Sequence, residues 1–206
     1  MKTINTIIFD LGGVLIDWNP EYVFFDVFQG DRVKMKWFFD TICTNDWNEN
    51  QDAGYPLDQA TEERIALFPE HEALIRMYYG KWEEMLGEAI EDTVTILKQL
   101  KETNNYKIVA LTNWSHETFP VALQKFEFLG WFEGIIVSGD EKTRKPFIDI
   151  YELTLNRFDI QADQSLFIDD NLRNIEAAKT LDINTIHFKS PHLLKEQLKD
   201  FNIHIQ

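Results

Sequence analysis

Asn5-Thr6-Ile7-Ile8-Phe9-Asp10-Leu11-Gly12-Gly13-Val14-Leu15 carries an apolar run into one carboxylate and then turns on two glycines. A continuous apolar run of this length reads as a parallel strand buried on both faces. Asp10 then stands at the carboxyl end of that strand, where open α/β sheets bind ligands. The glycines let backbone come close to a bulky anion.

Downstream the texture changes twice. From Trp18 to about Glu88 the pattern is helical and aromatic, with Tyr22, Phe24, Phe25, Phe28, Trp37, Phe38 and Phe39. Asn19-Pro20 reads as a helix start and Gly30-Asp31 as one helix ending and the next being capped. A loop is expected from Trp47 to Pro56, then a second helical stretch from Leu57 to Leu86. After Ile90 short apolar strands alternate with helices. Strands are expected at Lys107–Thr112, Gly134–Ser138, Ser165–Asp169 and Asn184–Phe188. Helices are expected at Glu91–Glu102, Ser115–Phe128, Pro146–Phe158, Asn171–Leu181 and near Leu193. This alternation implies a parallel sheet with right-handed crossovers. The expected architecture is a Rossmann-like three-layer α/β core, residues 1–17 and 89–206, interrupted by an all-helical cap, residues 18–88.

Four sites fall at or just beyond expected strand ends: Asp10, Thr112-Asn113, Lys145 and Asp169-Asp170. In a parallel sheet these ends share one edge, so the four converge on one crevice. The chemistry reads as phosphoryl transfer. A carboxylate can attack phosphorus and form an aspartyl-phosphate. That attack sets an anion against a dianion, so a hard divalent cation and a lysine are needed beside it. Asp10 and Asp170 are placed to hold Mg²⁺ together with waters and a backbone carbonyl. Thr112 offers a hydroxyl and a backbone N–H to a phosphoryl oxygen, and Asn113 beside it is assigned to substrate binding. Lys145 offers a point charge to the phosphate and to Asp10.

With these motifs in place, the chain resembles a haloacid dehalogenase superfamily hydrolase of the branch with a helical C1-type cap after the first strand (subfamily IA). The matching segments are Asp10-Leu11-Gly12-Gly13-Val14, Leu111-Thr112-Asn113, Arg144-Lys145-Pro146 and the run from Phe167 to Ala178. The cap segment from Asp46 to Gly54 adds to the likeness, and the nearest type is the bacterial glucose-1-phosphate phosphatase. The resemblance implies Asp10 as nucleophile, Thr112 and Lys145 as phosphate binders, and Asp170 as the second metal carboxylate. It places Asp169 behind the metal waters or the lysine. Asn174 stands where many relatives carry an acidic residue. It also exposes a departure. Phosphatases of this kind carry an acid–base aspartate two residues after the nucleophile, and here that position is Gly12. Its carbonyl can face the metal but cannot deliver a proton. Asp17 is the first substitute to consider, against a plain role as a turn residue before Asn19. Without the acid, aryl, acyl and anomeric phosphates should be better substrates than primary ones. Because the cap closes over the leaving group, Trp18, Trp47 and Asn48 are its candidate specificity residues.

Composition bounds the partners. The chain has 206 residues, 44% apolar, with a formal net charge of -15. Such a charge opposes nucleic acid and anionic membrane surfaces. No apolar run approaches the ~18 residues of a membrane span. Only Lys2 precedes the first strand, so no signal peptide is expected. Cys43 is the only cysteine, which suits a reducing interior. The expectation is a cytoplasmic Mg²⁺-dependent phosphatase for a small phosphorylated metabolite. The competing readings are a catalytically weakened binding module, for which Gly12 speaks, and a metal-free 2-haloacid dehalogenase. The paired carboxylates at Asp169-Asp170 would repel the dehalogenase's substrate.

Overall fold

The structure is a computed structural model and describes residues 3–205. Residues 1–2 and 206, the outermost positions of the expected core, lie outside the described residues. The central sheet contains β1 (Thr6–Phe9), β4 (Lys107–Thr112), β5 (Ile135–Val137), β6 (Ser165–Asp169) and β7 (Asn184–His187), in the order β5-β4-β1-β6-β7. Every pairing is parallel. Phe9 is in register with Ala110 of β4 and with Ile168 of β6. Asp10, Thr112 and Asp169 therefore leave three adjacent strands on the same edge.

The strand pleat sorts the core into two faces. Ile7, Phe9, Ile108, Ala110, Leu166 and Ile168 point into one apolar cluster. Ile8, Val109, Leu111 and Phe167 point into the other. Side chains alternate across a strand, so continuous apolar runs are what a sheet covered on both sides requires. The helices α7 (Glu91–Glu102) and α12 (Pro191–Leu198) contribute to the first cluster, and α10 (Ile148–Arg157) and α11 (Leu172–Lys179) to the second. This makes a three-layer α/β core.

Between β2 (Ile16–Trp18) and β3 (Leu86–Ala89) run α1 (Glu21–Val27), α2 (Arg32–Thr41), α3 (Asn45–Asp52), α4 (Leu57–Leu67), α5 (Glu72–Gly80) and α6 (Trp82–Met85). They enclose a third, aromatic cluster. Phe24 stacks on Phe38 at 5.0 Å between centroids, and Trp47 meets Tyr78 edge-on at 5.4 Å. Asp31 caps α2 by accepting from the Val33 and Lys34 N–H groups, as its position after Gly30 suggests.

Two features differ from expectation. The loop expected from Trp47 to Pro56 is mostly helix. Thr44 accepts from the Trp47 N–H and starts α3, whose Trp47 and Gln51 are buried one turn apart. Only residues 53–56 form the connection. The stretches entering and leaving the helical segment also pair as a two-stranded antiparallel ribbon, β2 with β3, in place of irregular links. The helical stretch expected from Leu57 to Leu86 is made of α4, α5 and α6, separated at Phe68-Pro69, where proline cannot continue a hydrogen-bonded turn, and at Lys81.

Candidate active site

The ladder continues one residue past β1, where the Asp10 N–H donates to the Ile168 carbonyl at 2.9 Å. The Leu11 N–H donates to Asp10 Oδ1 at 2.7 Å. The chain then turns tightly, with the Leu11 carbonyl accepting from the Leu15 and Ile16 N–H groups. Gly13 adopts φ of 73° in this turn, and a Cβ there would collide with the Asp170 carboxylate. Glycine is required at that point for both reasons. Gly12 is different: a Cβ there would meet nothing within 4 Å.

Lys145 is buried, and its ammonium is saturated. It donates to Asp10 Oδ1 at 2.9 Å, to Asp169 Oδ2 at 2.7 Å and to the Leu111 carbonyl at 2.9 Å. Asn113 fixes the backbone that delivers it. The Lys145 N–H donates to Asn113 Oδ1, and Asn113 Nδ2 donates to the Lys145 carbonyl, both at 2.9 Å. Asp169 is fully buried and its lone pairs are occupied. It accepts from Lys145, from the Asn171 N–H at 2.7 Å and from Asn174 Nδ2 at 3.0 and 3.1 Å. Thr112 Oγ1 is buried at the same edge with no hydrogen-bond partner among the described residues. Buried hydroxyls are ordinarily bonded, so this one points to an absent ligand.

The charge balance points the same way. Asp10, Asp169 and Asp170 each offer an oxygen within 4.8 Å of the others. One ammonium faces three carboxylates. Burial raises the Asp10 carboxyl well above its usual range; Lys145 opposes this while Asp169 and Asp170 add to it. Burial and then Asp169 raise Asp170. Burial would pull Lys145 down, but Asp10 and Asp169 outweigh it and hold its pKa up. Excess negative charge of this kind, on hard oxygen donors, fits a divalent cation. Asp10 and Asp170 have oxygens to give it, and Asp169 does not.

Over this edge lies a cavity of about 270 Å³. Gly12, Gly13, Asn113 and Asp170 form its floor, and Trp18, Asn48, Asp52, Trp82 and Trp114 its walls. Of the expected cap residues, Trp18 and Asn48 reach it. Trp47 does not: it is buried against Tyr78 and Tyr79, with the Arg64 guanidinium 5.3 Å from its ring centre. Asp17 does not line the cavity either. It accepts from the Tyr22 hydroxyl and packs where a Cβ on Gly87 would sit. Trp82, Trp114 and Asp52 are site residues that sequence reasoning missed. For Asp52 a signal existed, since an aspartate ending a helix lies at the unfavourable end of its dipole. The helical segment and the residues around the sheet are also joined by Glu49, which pairs with Arg144 at 2.8 Å and with Arg173.

Known proteins share this arrangement of elements. The chain is 25% identical to the sesquiterpene phosphatase astK of Aspergillus oryzae over 185 residues, 90% of each chain. Its fold is similar to that of the HAD-hydrolase YfnB of Bacillus subtilis, solved bound to magnesium, with a TM-score of 0.72 and 20% identity over 98% of this chain and 100% of that one. It is also similar to the HAD family enzyme bt-2542 of Bacteroides thetaiotaomicron, solved with magnesium and inorganic phosphate. There the TM-score is 0.65 and the identity 20%, over 91% of this chain and 95% of that one. The family model for haloacid dehalogenase-like hydrolases matches residues 7–188, and the chain belongs to that family.

Proposed function

We propose that the chain is a Mg²⁺-dependent phosphatase, a phosphoric monoester hydrolase acting on a small phosphorylated metabolite through an aspartyl-phosphate on Asp10. The observation that carries this reading is the state of Asp10. One of its oxygens is held by Lys145 and the Leu11 N–H, the other has no hydrogen bond among the described residues, and Asp170, with an oxygen within 4.8 Å of Asp10, lines the cavity. That free oxygen is the nucleophile. Asp10, the Gly12 carbonyl and Asp170 would hold the cation, which would supply charge neutralisation for an anionic nucleophile and an anionic substrate. The Thr112 hydroxyl and nearby backbone N–H groups receive the phosphoryl oxygens. Asn113 acts by holding Lys145, and Asp169 and Asn174 by orienting its ammonium. The magnesium complexes of YfnB and bt-2542 and the phosphatase activity named for astK support the assignment.

In this reading residues 1–17 and 89–206 are the catalytic core and residues 18–88 the cap. The leaving group sits against Trp18, Trp82 and Trp114. Within the metabolite class we infer a sugar 1-phosphate, whose ring stacks on an indole face. A terpenyl phosphate is the second reading, favoured by the three indoles and by the likeness to astK. No helix among the described residues is long and apolar enough to cross a membrane, and we place the reaction in the cytoplasm. The test is phosphate release from a panel of sugar, acyl, aryl and prenyl phosphates with and without Mg²⁺. Metal-stimulated release is expected. Halide release from a 2-haloacid without metal, or binding without turnover, would replace this reading.

A further inference from the structure

Gly12 leaves the proposed reaction without its proton donor, and Asp17 is engaged elsewhere. The cavity is lined by two carboxylates, Asp170 on its floor and Asp52 on its wall. Asp170 belongs to the cation cluster, whereas Asp52 does not. We propose that Asp52, at the end of cap helix α3, is the general acid and base that the core lacks, an inference that rests on the phosphatase reading.

The position of Asp52 is built. Its backbone carbonyl accepts from the buried Ser138 hydroxyl at 2.5 Å, and Ser138 in turn accepts from the Trp114 N–H at 2.8 Å. One carboxylate oxygen accepts from Asn48 Nδ2 at 3.2 Å. The side chain also faces the Ser115 backbone N–H, three residues beyond Thr112. Next to it, Gly54 adopts φ of 86° and lies so close to the Gly139 carbonyl that no Cβ fits between them. The Gly54 carbonyl accepts from Lys142, and the Leu57 N–H donates to Glu117. The turn carrying Asp52 is thus fixed to core loops along its whole length.

Its surroundings suit proton transfer. Burial pushes the Asp52 carboxyl up to about 7, and Glu49 on the same helix adds to this. Arg144, the Ser115 N–H and Lys145 oppose it. Tyr78 and Tyr79 of α5 face it as neutral phenols, their own pKa values raised first by burial. A carboxyl near 7 is present in both forms at neutral pH, which is the useful range for giving and then taking a proton. The other acidic group nearby, Glu49, is held by two arginines and cannot take this role.

The steps balance. The free Asp10 oxygen bonds to phosphorus as the ester P–O bond breaks. The electron pair of that bond goes to the leaving oxygen, which takes the proton from Asp52. Water then attacks phosphorus and gives a proton to the Asp52 carboxylate. The Asp10–phosphorus bond breaks, the carboxylate of Asp10 is restored, and alcohol and inorganic phosphate are the products.

The test compares wild type, Asp52→Asn and Asp52→Ala on two esters at saturating Mg²⁺. One is para-nitrophenyl phosphate, whose phenolate leaves without help, and the other is glycerol phosphate, whose alkoxide does not. General acid help is worth about 10²–10⁴-fold. In kcat/KM, which reads the leaving-group step and not the later hydrolysis, both variants should lose about that factor on glycerol phosphate and only a few-fold on para-nitrophenyl phosphate. The wild-type fall in kcat/KM for glycerol phosphate above about pH 7 should vanish in Asp52→Asn. Equal losses of kcat/KM on both esters, or no loss on either, with wild type active, overturn the role of Asp52 alone. A wild type that releases phosphate from neither these esters nor the wider panel overturns the phosphatase reading itself.

Discussion

Replacing Lys145 by methionine keeps an apolar stem of similar length and deletes the ammonium, which lies 5.5 Å from the centre of the Phe167 ring. Three bonds go with it: Asp10 at 2.9 Å, Asp169 at 2.7 Å and the Leu111 carbonyl at 2.9 Å. What remains is a group of buried carboxylates with no counter-charge. Removing one partner of a buried pair costs about 3–5 kcal/mol, because the orphaned charge stays desolvated. For a chain of this size about 1 kcal/mol shifts Tm by roughly 2–4 °C, so the metal-free variant should melt roughly 6–20 °C below wild type. The deficit should shrink in acid, where Asp10, already pushed upward, takes a proton and the repulsion ends. It should shrink again with Mg²⁺, which supplies the missing charge. Differential scanning fluorimetry at pH 5 and pH 7.5, with Mg²⁺ or chelator, reads all four cases. In parallel kcat/KM should fall by about 10²-fold or more, as for loss of one preorganised charge-stabilising donor. A Tm within about 2 °C of wild type under chelation at pH 7.5 would refute the ion triad as described.

Further outcomes follow from neighbouring residues. Asp170→Ala should abolish Mg²⁺ activation, while relief of crowding leaves the metal-free fold as stable as wild type or slightly more so; Mg²⁺ titration and Tm check both. Gly12→Asp should fold normally, since its Cβ meets no atom within 4 Å, whereas Gly13→Ala should lower Tm through its collision with Asp170 and its φ of 73°. If Asp52 is the donor, Gly12→Asp in the Asp52→Asn background should also recover part of the glycerol phosphate rate. Asp52 gives a pH dependence of defined sign: its folded pKa, about 7, exceeds its unfolded value, so the stability it contributes is fully present in acid and is lost as pH rises through 7. Urea unfolding of the chelated protein between pH 4 and pH 8 should show that fall in wild type and a flatter profile in Asp52→Asn.

Much of the core was legible because its physics is local. The strands Lys107–Thr112 and Ser165–Asp169 are apolar between their end residues, and both strands and helix Glu91–Glu102 form over the residues expected. Parallel pairing then brings Asp10, Thr112, Asp169 and Asp170 to one edge without further information. The helical segment between β2 and β3 was less legible. Helix α3 is nearly all polar, Asn45-Asp46-Trp47-Asn48-Glu49-Asn50-Gln51-Asp52, so periodicity hides it and only the Thr44 cap marks its start. Ribbon β2–β3 joins residues some seventy positions apart, and pairing at that distance leaves no mark on either short segment. Tertiary packing alone separates Trp47, sealed in the cap, from Trp114, which lines the cavity. Asp52 was hidden by the same mistaken loop.

The most direct measurement is a trap of the covalent intermediate. Wild type, Asp10→Asn and chelated wild type are each mixed with a turned-over phosphate ester, quenched in acid within one turnover, digested and analysed by mass spectrometry. A phosphoryl group on the peptide containing Asp10, in the wild type with Mg²⁺ and in neither control, is the predicted result. Steady phosphate release by Asp10→Asn at near wild-type rates, or turnover that survives complete chelation, would contradict the account.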